Sequence, residues 1–171
     1  MIELFEQVVS LENLEIAFEN ASKGKCGIKY VIDFEKKLKE NLAKLHDELV
    51  SFSYNPRPLK SFIICDPKTR LISKSDFRDR VVHHALVRVI EPIFDRKFIS
   101  DNFANRKRKG TLKAVQRFDY FKRIISKSKT RDCFVLKCDV KHYFQTVNHN
   151  VLLDLIKRRI LNSGVIWLVE N

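Results

Sequence analysis

The run F-V-L-K-C-D-V-K-H-Y-F, from Phe134 to Phe144, constrains the fold more than any other stretch of this chain. Successive residues of a β-strand point to opposite faces, so the alternation from Cys133 to Asp139 predicts a buried strand. Lys137 and Asp139 share its polar face. A carboxylate held at a strand end is well placed to bind a magnesium ion that carries phosphate. The alternative is a surface Asp that caps the turn after the strand.

A concentrated excess of positive charge is the second strong signal. The formal net charge is +12 and the pI is about 9.7. Between Arg96 and Arg131, thirteen Lys or Arg residues stand against two acids, and R-K-R-K from Arg106 to Lys109 is an unbroken run of cations. Basic charge follows a phosphate backbone and aromatic rings can stack on bases, so the interleaved aromatics predict a nucleic-acid partner. These aromatics are Phe98, Phe103, Phe118, Tyr120 and Phe121.

Length and composition favour a globular, cytoplasmic protein. With 171 residues and 44% hydrophobic content, the chain is long enough for one domain with a real core. No stretch approaches the ~18 consecutive apolar residues that span a bilayer, and the acids in M-I-E-L-F-E argue against a secretory signal. The four cysteines lack metal-ligand spacing, which predicts free thiols in a reducing cytosol. They are Cys26, Cys65, Cys133 and Cys138.

The first half of the chain predicts two helices and a hairpin. Ser10 is typical of an N-cap, and the helix that it opens is expected to end near Gly24. Helical spacing of Phe and Leu predicts a longer helix from about Ile32 to Val50. The runs L-K-S-F-I-I-C and R-L-I-S flank D-P-K-T, from Asp66 to Thr69, and predict a β-hairpin.

The second half is mainly helical apart from the predicted strand. A wide apolar stripe begins near Phe77, and Asp79 and Arg80 lie off it, where we expect a structural ion pair. One further helix is predicted to begin at Gly110 and Thr111. Another is predicted after the strand, with Asn148 or Asn150 as its N-cap. Helices interleaved with few strands indicate an α+β or α/β fold.

Several motifs in a fixed order resemble the reverse transcriptases of bacterial and archaeal retroelements. They are K-x-R at Lys68 and Arg70, F-R-D-R-V-V-H-H-A-L from Phe77, I-E-P-I-F from Ile90, D-N-F-A-N-R-K-R-K-G-T from Asp101, and V-L-K-C-D-V-K-H-Y-F-Q-T-V-N-H from Val135. These motif sequences are most similar to those of enzymes from diversity-generating retroelements, with group II intron and retron enzymes as close relatives. The resemblance implies a right-hand polymerase of α+β class, rich in helices with a small antiparallel hairpin.

The resemblance also implies domains and partners. Residues 1–58 correspond to an N-terminal helical extension, 59–131 to the fingers and 132–171 to the first part of the palm. The implied activity is RNA-directed DNA polymerisation by two-metal nucleotidyl transfer, with two Mg²⁺ ions, an RNA template and primer, and deoxynucleoside triphosphates. An accessory retroelement protein or a C-terminal half is a further expected partner.

Residue roles follow from the same resemblance. Asp139 is implied as a ligand to both metals, with the backbone carbonyl of Val140 beside it, and Phe144 as the steric gate against ribose. Arg70 corresponds to the arginine that clamps the incoming triphosphate, and Lys68 is a weaker candidate for the same contact.

The R-K-R-K run supplies the implied nucleic-acid contacts. Arg106 corresponds to a template or triphosphate contact. Lys107, Arg108 and Lys109, with Lys113, are expected to neutralise backbone phosphates without base specificity.

One departure limits the expectation of activity. The family carries two further carboxylates in a Y-x-D-D motif, and this sequence contains no D-D pair. We therefore expect the 171 residues alone to be inactive, as a fragment of a longer enzyme or with a partner chain. The alternatives are a noncatalytic RNA-binding module derived from a reverse transcriptase and a basic protein that binds an acidic protein face.

Overall fold

The computed structural model describes residues 3–171, which form nine helices and one two-stranded antiparallel sheet. The elements in order are α1 (Leu4–Val9), α2 (Leu11–Ser22), α3 (Lys29–Glu35), α4 (Leu38–Val50), β1 (Lys60–Ile64), β2 (Arg70–Lys74), α5 (Phe77–Asp95), α6 (Thr111–Ile125), α7 (Tyr143–Thr146), α8 (His149–Lys157) and α9 (Ser163–Glu170). The helix-rich α+β class is confirmed. Across this part of the chain, no helix combines the length and hydropathy that a membrane crossing requires.

The chain divides into two compact units. Unit 1 comprises the residues up to Pro92 together with Asn150–Asn171, and unit 2 comprises Ile93–His149. The assignment of fingers to 59–131 and palm to 132–171 is a functional one and stays a prediction. All four cysteines are free, as their spacing indicates.

The core of unit 1 is helical. The predicted N-cap at Ser10 is confirmed, because its side chain accepts a hydrogen bond from the backbone N–H of Asn13 at 3.2 Å. Leu14 of α2 and Leu45 and Leu49 of α4 are almost fully buried. Burial of such side chains contributes about 1.5–3 kcal/mol each, so these helices depend on their shared apolar face rather than on propensity.

The single helix expected from Ile32 to Val50 is wrong, because α3 ends at Glu35 and α4 begins at Leu38. Lys37 leaves helical geometry with φ −122° and ψ 37°. A local hydrogen bond stabilises the break, because the Nδ2 group of Asn41 donates to the carbonyl of Phe34 at 2.9 Å. In a continuous helix, that carbonyl would instead accept a backbone N–H from the next turn.

The hairpin and the helix after it are confirmed. β1 pairs antiparallel with β2, with Lys60 opposite Lys74 and Ile64 opposite Arg70. α5 buries Val81, Val82 and Ala85 along the predicted stripe.

The ion pair expected between Asp79 and Arg80 is wrong. Asp79 is buried, at 1% exposure, and accepts the hydroxyl of Tyr54 and the backbone N–H of Arg57, each at 2.9 Å. Arg80 instead lies over the ring of Tyr30, 4.9 Å from its centroid. Asp79 therefore ties the segment before the hairpin to α5 by hydrogen bonds rather than by a surface charge pair.

The buried strand expected from Cys133 to Asp139 is also wrong. These residues have no regular secondary structure, and Phe134 and Leu136 are 96% and 89% exposed. A strand needs a neighbour for its backbone groups, and the only sheet within residues 3–171 is the β1–β2 hairpin. The alternating pattern is real, but it has no sheet here to join.

Unit 2 is built around α6 and the loop before it. Gly110 is the N-cap of α6 and has φ +118°, a value that an L side chain rarely adopts. No residue of α6 is buried. The unit therefore rests on polar contacts within the loop more than on an apolar core.

Candidate functional site

The hairpin presents Lys68 and Arg70 at the end of the sheet. Lys68 lies in the connection between the strands, and Arg70 is the first residue of β2. Both are exposed, and neither forms an ion pair with an acid in residues 3–171. The geometry leaves two cations available to an anionic ligand.

Arg106, by contrast, is fully engaged inside unit 2. Its Nε donates to Oδ1 of Asp95 at 2.5 Å, and one terminal nitrogen donates to Oδ2 and to the backbone carbonyl of the same residue, both at 3.2 Å. The other terminal nitrogen donates to the carbonyls of Ile99 and Asn102 at 3.1 and 3.3 Å. A guanidinium has five N–H groups, and these contacts use all of them.

The expected role of Arg106 as a template or triphosphate contact stays a prediction. A bound phosphate would have to displace acceptors already in place. The bonded guanidinium lowers the pKa of the Asp95 carboxyl below its ordinary 3.8, and the carboxylate raises the pKa of Arg106 in return. In this structure Arg106 joins Asp95 to the carbonyls of Ile99 and Asn102 and so organises the loop.

The other cations of the run divide into bonded and free residues. Lys109 donates to the carbonyl of Ser100 and lies 5.2 Å from the ring centroid of Phe103. Lys107 and Arg108 are exposed, as is Lys113 at the start of α6, and none of the three pairs with an acid in the described part of the chain. The loop thus offers Lys107, Arg108 and Lys113 to solvent, which fits the expected phosphate contacts.

Two aromatic rings of the basic segment, Tyr120 and Phe121, contact the guanidinium of Arg117. Arg117 bonds the carboxylate of Asp101, Nε to Oδ1 at 2.7 Å. Its guanidinium lies 4.9 Å from the ring centroid of Tyr120 and 4.3 Å from that of Phe121. These faces are occupied by Arg117, so base stacking on them, as the sequence pattern suggests, would compete with a cation–π contact.

Asp139 lies in the irregular segment of unit 2, exposed together with Val140 and Phe144. Within residues 3–171, no group of three His, Cys, Asp or Glu side chains lies close enough to hold a metal ion. One carboxylate and one carbonyl would leave most of the oxygen ligands of two such cations to water, to substrate phosphates or to other groups. The residues present do not by themselves fit two magnesium ions.

A pocket in unit 1 was not predicted from the sequence. It has a volume of about 410 Å³, and six of its lining residues are Tyr30, Lys44, Lys60, Phe77, Lys74 and Arg80. These residues come from α3, α4, the hairpin and α5, so spacing along the chain does not reveal them. The one local signal is the hairpin register, which places two lysines opposite each other.

Comparison with known proteins gives two partial similarities. The chain is 28% identical over 137 residues to Protein YkfC of Escherichia coli (strain K12), which covers 79% of this chain and 35% of that protein. It is 26% identical over 135 residues to the Putative COX1/OXI3 intron 1 protein of Saccharomyces cerevisiae, which covers 75% of this chain and 15% of that protein. The chain thus spans about a third and about a seventh of these relatives. No protein-family model matches the chain.

Proposed function

We propose that this chain is the fingers and first palm segment of a retroelement reverse transcriptase, an RNA-directed DNA polymerase. The observation that carries the proposal is the similarity to a protein of an intron over three quarters of the chain. The β1–β2 hairpin followed directly by α5 supports it, because the ordered motifs of the resemblance fall on these elements.

The proposal gives each exposed group a role. Arg70, with Lys68, contacts the triphosphate of the incoming nucleotide from the hairpin. Lys107, Arg108 and Lys113 contact phosphates of the template or primer. Phe144 lies under the sugar and discriminates against ribose.

Asp139 is the proposed catalytic carboxylate, with the carbonyl of Val140 beside it. Magnesium belongs to the proposal as the cofactor that neutralises phosphate charge. Because Asp139 belongs to no group of three possible metal-ligand side chains in the described residues, its further protein ligands would come from outside them.

The test is primer extension on an RNA template with the complete gene product. Asp139→Ala should reduce extension to background, while RNA binding in a filter assay stays near the wild-type level. Asp132→Ala is the matched control, since it removes another exposed carboxylate of the same segment. Normal extension by Asp139→Ala would remove Asp139 from the mechanism.

The second candidate is a noncatalytic RNA-binding module. The observation that favours it is the exposed, irregular segment around Asp139, together with the absence of a D-D pair from the sequence. The same experiment separates the two functions. A wild-type complete gene product that binds RNA but does not extend a primer supports the module and rejects the polymerase.

A further inference from the structure

A second concave surface in unit 1 differs in chemistry from the 410 Å³ pocket. It has a volume of about 370 Å³ and lies between the segment before β1, the first half of α5 and the end of α9. We call it the α5–α9 groove, and its apolar lining comes from Pro56, Pro58, Leu59, Val82, Leu86 and Leu168. This volume and this mainly apolar lining are typical of sites that hold small organic molecules.

Hydrogen bonds join the three walls of this groove. Asp79 on α5 accepts the hydroxyl of Tyr54 and the backbone N–H of Arg57, each at 2.9 Å. Asn171, directly after α9, donates from Nδ2 to the carbonyl of Tyr54 at 2.6 Å. The groove is therefore formed by fixed contacts among its walls before any ligand is present, as small-molecule sites usually are.

The charges along the groove favour an uncharged ligand. Arg57 is the cation of the lining, and its guanidinium lies 3.4 Å from the carboxylate of Asp76. Asp79 is the anion of the lining, and each of its carboxylate oxygens already accepts a hydrogen bond from the protein. An ionic ligand would lose its hydration here without gaining a free partner of opposite charge.

His83 gives the groove a hydrogen-bonding group that has no protein partner. It lies one helical turn after Asp79, lines the groove, and forms no hydrogen bond or ion pair within residues 3–171. Partial desolvation lowers the pKa of His83 below its ordinary 6.5 although the charge of Asp79 opposes the shift. At neutral pH its imidazole is therefore uncharged and has one acceptor nitrogen. The nearby carboxylate of Asp79 favours a ligand N–H or O–H over a ligand acceptor at this position.

We propose that the α5–α9 groove is a binding site for a small, uncharged aromatic molecule that carries one hydrogen-bond donor. The ring of the ligand packs on the apolar lining, with Leu86 on one wall and Leu168 on another. Its N–H or O–H donates to the acceptor nitrogen of His83. The inference goes beyond the proposed function and does not depend on it, because none of the groove residues has a role in that function.

The experiment is an NMR titration of the ¹⁵N-labelled chain with indole and, separately, with indene. The two probes have nearly the same bicyclic shape, but only indole carries an N–H donor. We expect saturable shifts of the backbone amides of Leu86, Leu168 and Asn171, with a dissociation constant for indole of about 1 mM or below. Because a neutral hydrogen bond adds a modest net gain, indole should bind roughly three- to tenfold more tightly than indene.

Two pairs of variants test the two parts of the site. His83→Leu removes the ring nitrogens at an exposed position, so the preference for indole over indene should fall to about one. His84→Leu, the next residue of α5 and outside the groove lining, should keep the preference. Leu86→Trp fills the groove and should weaken both probes at least about tenfold, whereas Val87→Trp, at an exposed position beside it, should not. Thermal melting shows whether each variant is folded, and His83→Leu tests the proposal even if Leu86→Trp is unstable.

Three outcomes would overturn the proposal. The first is a titration without saturable shifts up to about 10 mM indole, or with shifts that lie away from the groove. The second is equal binding of indole and indene by the wild-type chain. The third is a preference for indole that survives His83→Leu. None of these results bears on primer extension, so the groove and the polymerase proposals fail separately.

Discussion

Arg106 and Asp95 form a two-point contact within unit 2, with Nε 2.5 Å from Oδ1 and a terminal nitrogen 3.2 Å from Oδ2. The Arg106 side chain is only 14% exposed. Since the same guanidinium also binds three backbone carbonyls, it joins the end of α5 to the loop that leads into α6. The conformation of the loop therefore depends on one planar, five-donor group.

Replacing Arg106 by lysine should loosen this loop although the charge is kept. An ammonium has three donors and no planar fork, so at least two of the five contacts are lost. We expect several-fold faster amide hydrogen exchange over residues 99–109, measured by mass spectrometry. Arg108→Lys, at an exposed position of the same loop, is the control, and equal exchange in both variants would contradict the role given to Arg106.

Tyr54 should contribute stability through its bond to Asp79. Tyr54→Phe leaves the buried carboxylate with one protein donor fewer, which should lower the free energy of unfolding by about 1–3 kcal/mol in urea denaturation at neutral pH. Tyr143→Phe removes an exposed hydroxyl and serves as the control. Equal effects of the two substitutions would show that the buried hydrogen bond makes no net contribution to the free energy of unfolding.

The same contact predicts a loss of stability at alkaline pH. Burial, and then the hydrogen bond to Asp79, raise the pKa of Tyr54 above its ordinary 10.0. The unfolded tyrosine ionises before the folded one, so stabilisation that is fully present below pH 10 falls as the pH rises beyond it. The stability difference between wild type and Tyr54→Phe should therefore shrink above pH 10, and a constant difference would count against this assignment.

Lys107 and Arg108 should account for part of the salt dependence of RNA binding. Lys107→Gln/Arg108→Gln removes two exposed cations that have no acid partner in the described chain, so the slope of log K against log salt should fall by about 1.4. The Lys23→Gln/Lys39→Gln variant, which removes two exposed cations from unit 1, is the matched control for charge. An unchanged slope would place the nucleic-acid surface elsewhere.

Phe144→Ala should admit ribonucleotides if Phe144 is the steric gate. In primer extension by the complete gene product, we expect the preference for deoxynucleotides to fall on the order of tenfold, which corresponds to about 1.4 kcal/mol. Tyr143→Ala, the neighbouring ring in α7, is the control. An unaltered sugar preference would leave Phe144 without this role.

The elements that the sequence predicts correctly are those with local causes. The hairpin follows from turn residues between two short β-like runs, and α5 follows from its own apolar stripe. The segment around Asp139 has an equally clear alternation, yet it forms no strand, because pairing depends on a second strand that a local pattern cannot supply.

The candidate site was predictable only where residues act alone. Lys107 and Arg108 lie exposed, as a run of cations indicates. Arg106 differs because its acceptor, Asp95, lies eleven residues earlier, where no motif joins the two. Tyr30 and Arg80 meet across fifty residues, so their contact follows from packing and not from spacing.

The close packing of α9 on α1 has a consequence for the order in which the chain acquires its structure. A Cβ on Gly164 would lie 2.5 Å from the ring of Phe5, and Trp167 meets that ring edge-on. A ribosome makes Phe5 more than 150 residues before Trp167. During synthesis, α1 therefore lacks its contacts with α9 until the end of this sequence has been made. Unit 1 can complete its folding only once the last helix described here has been synthesised.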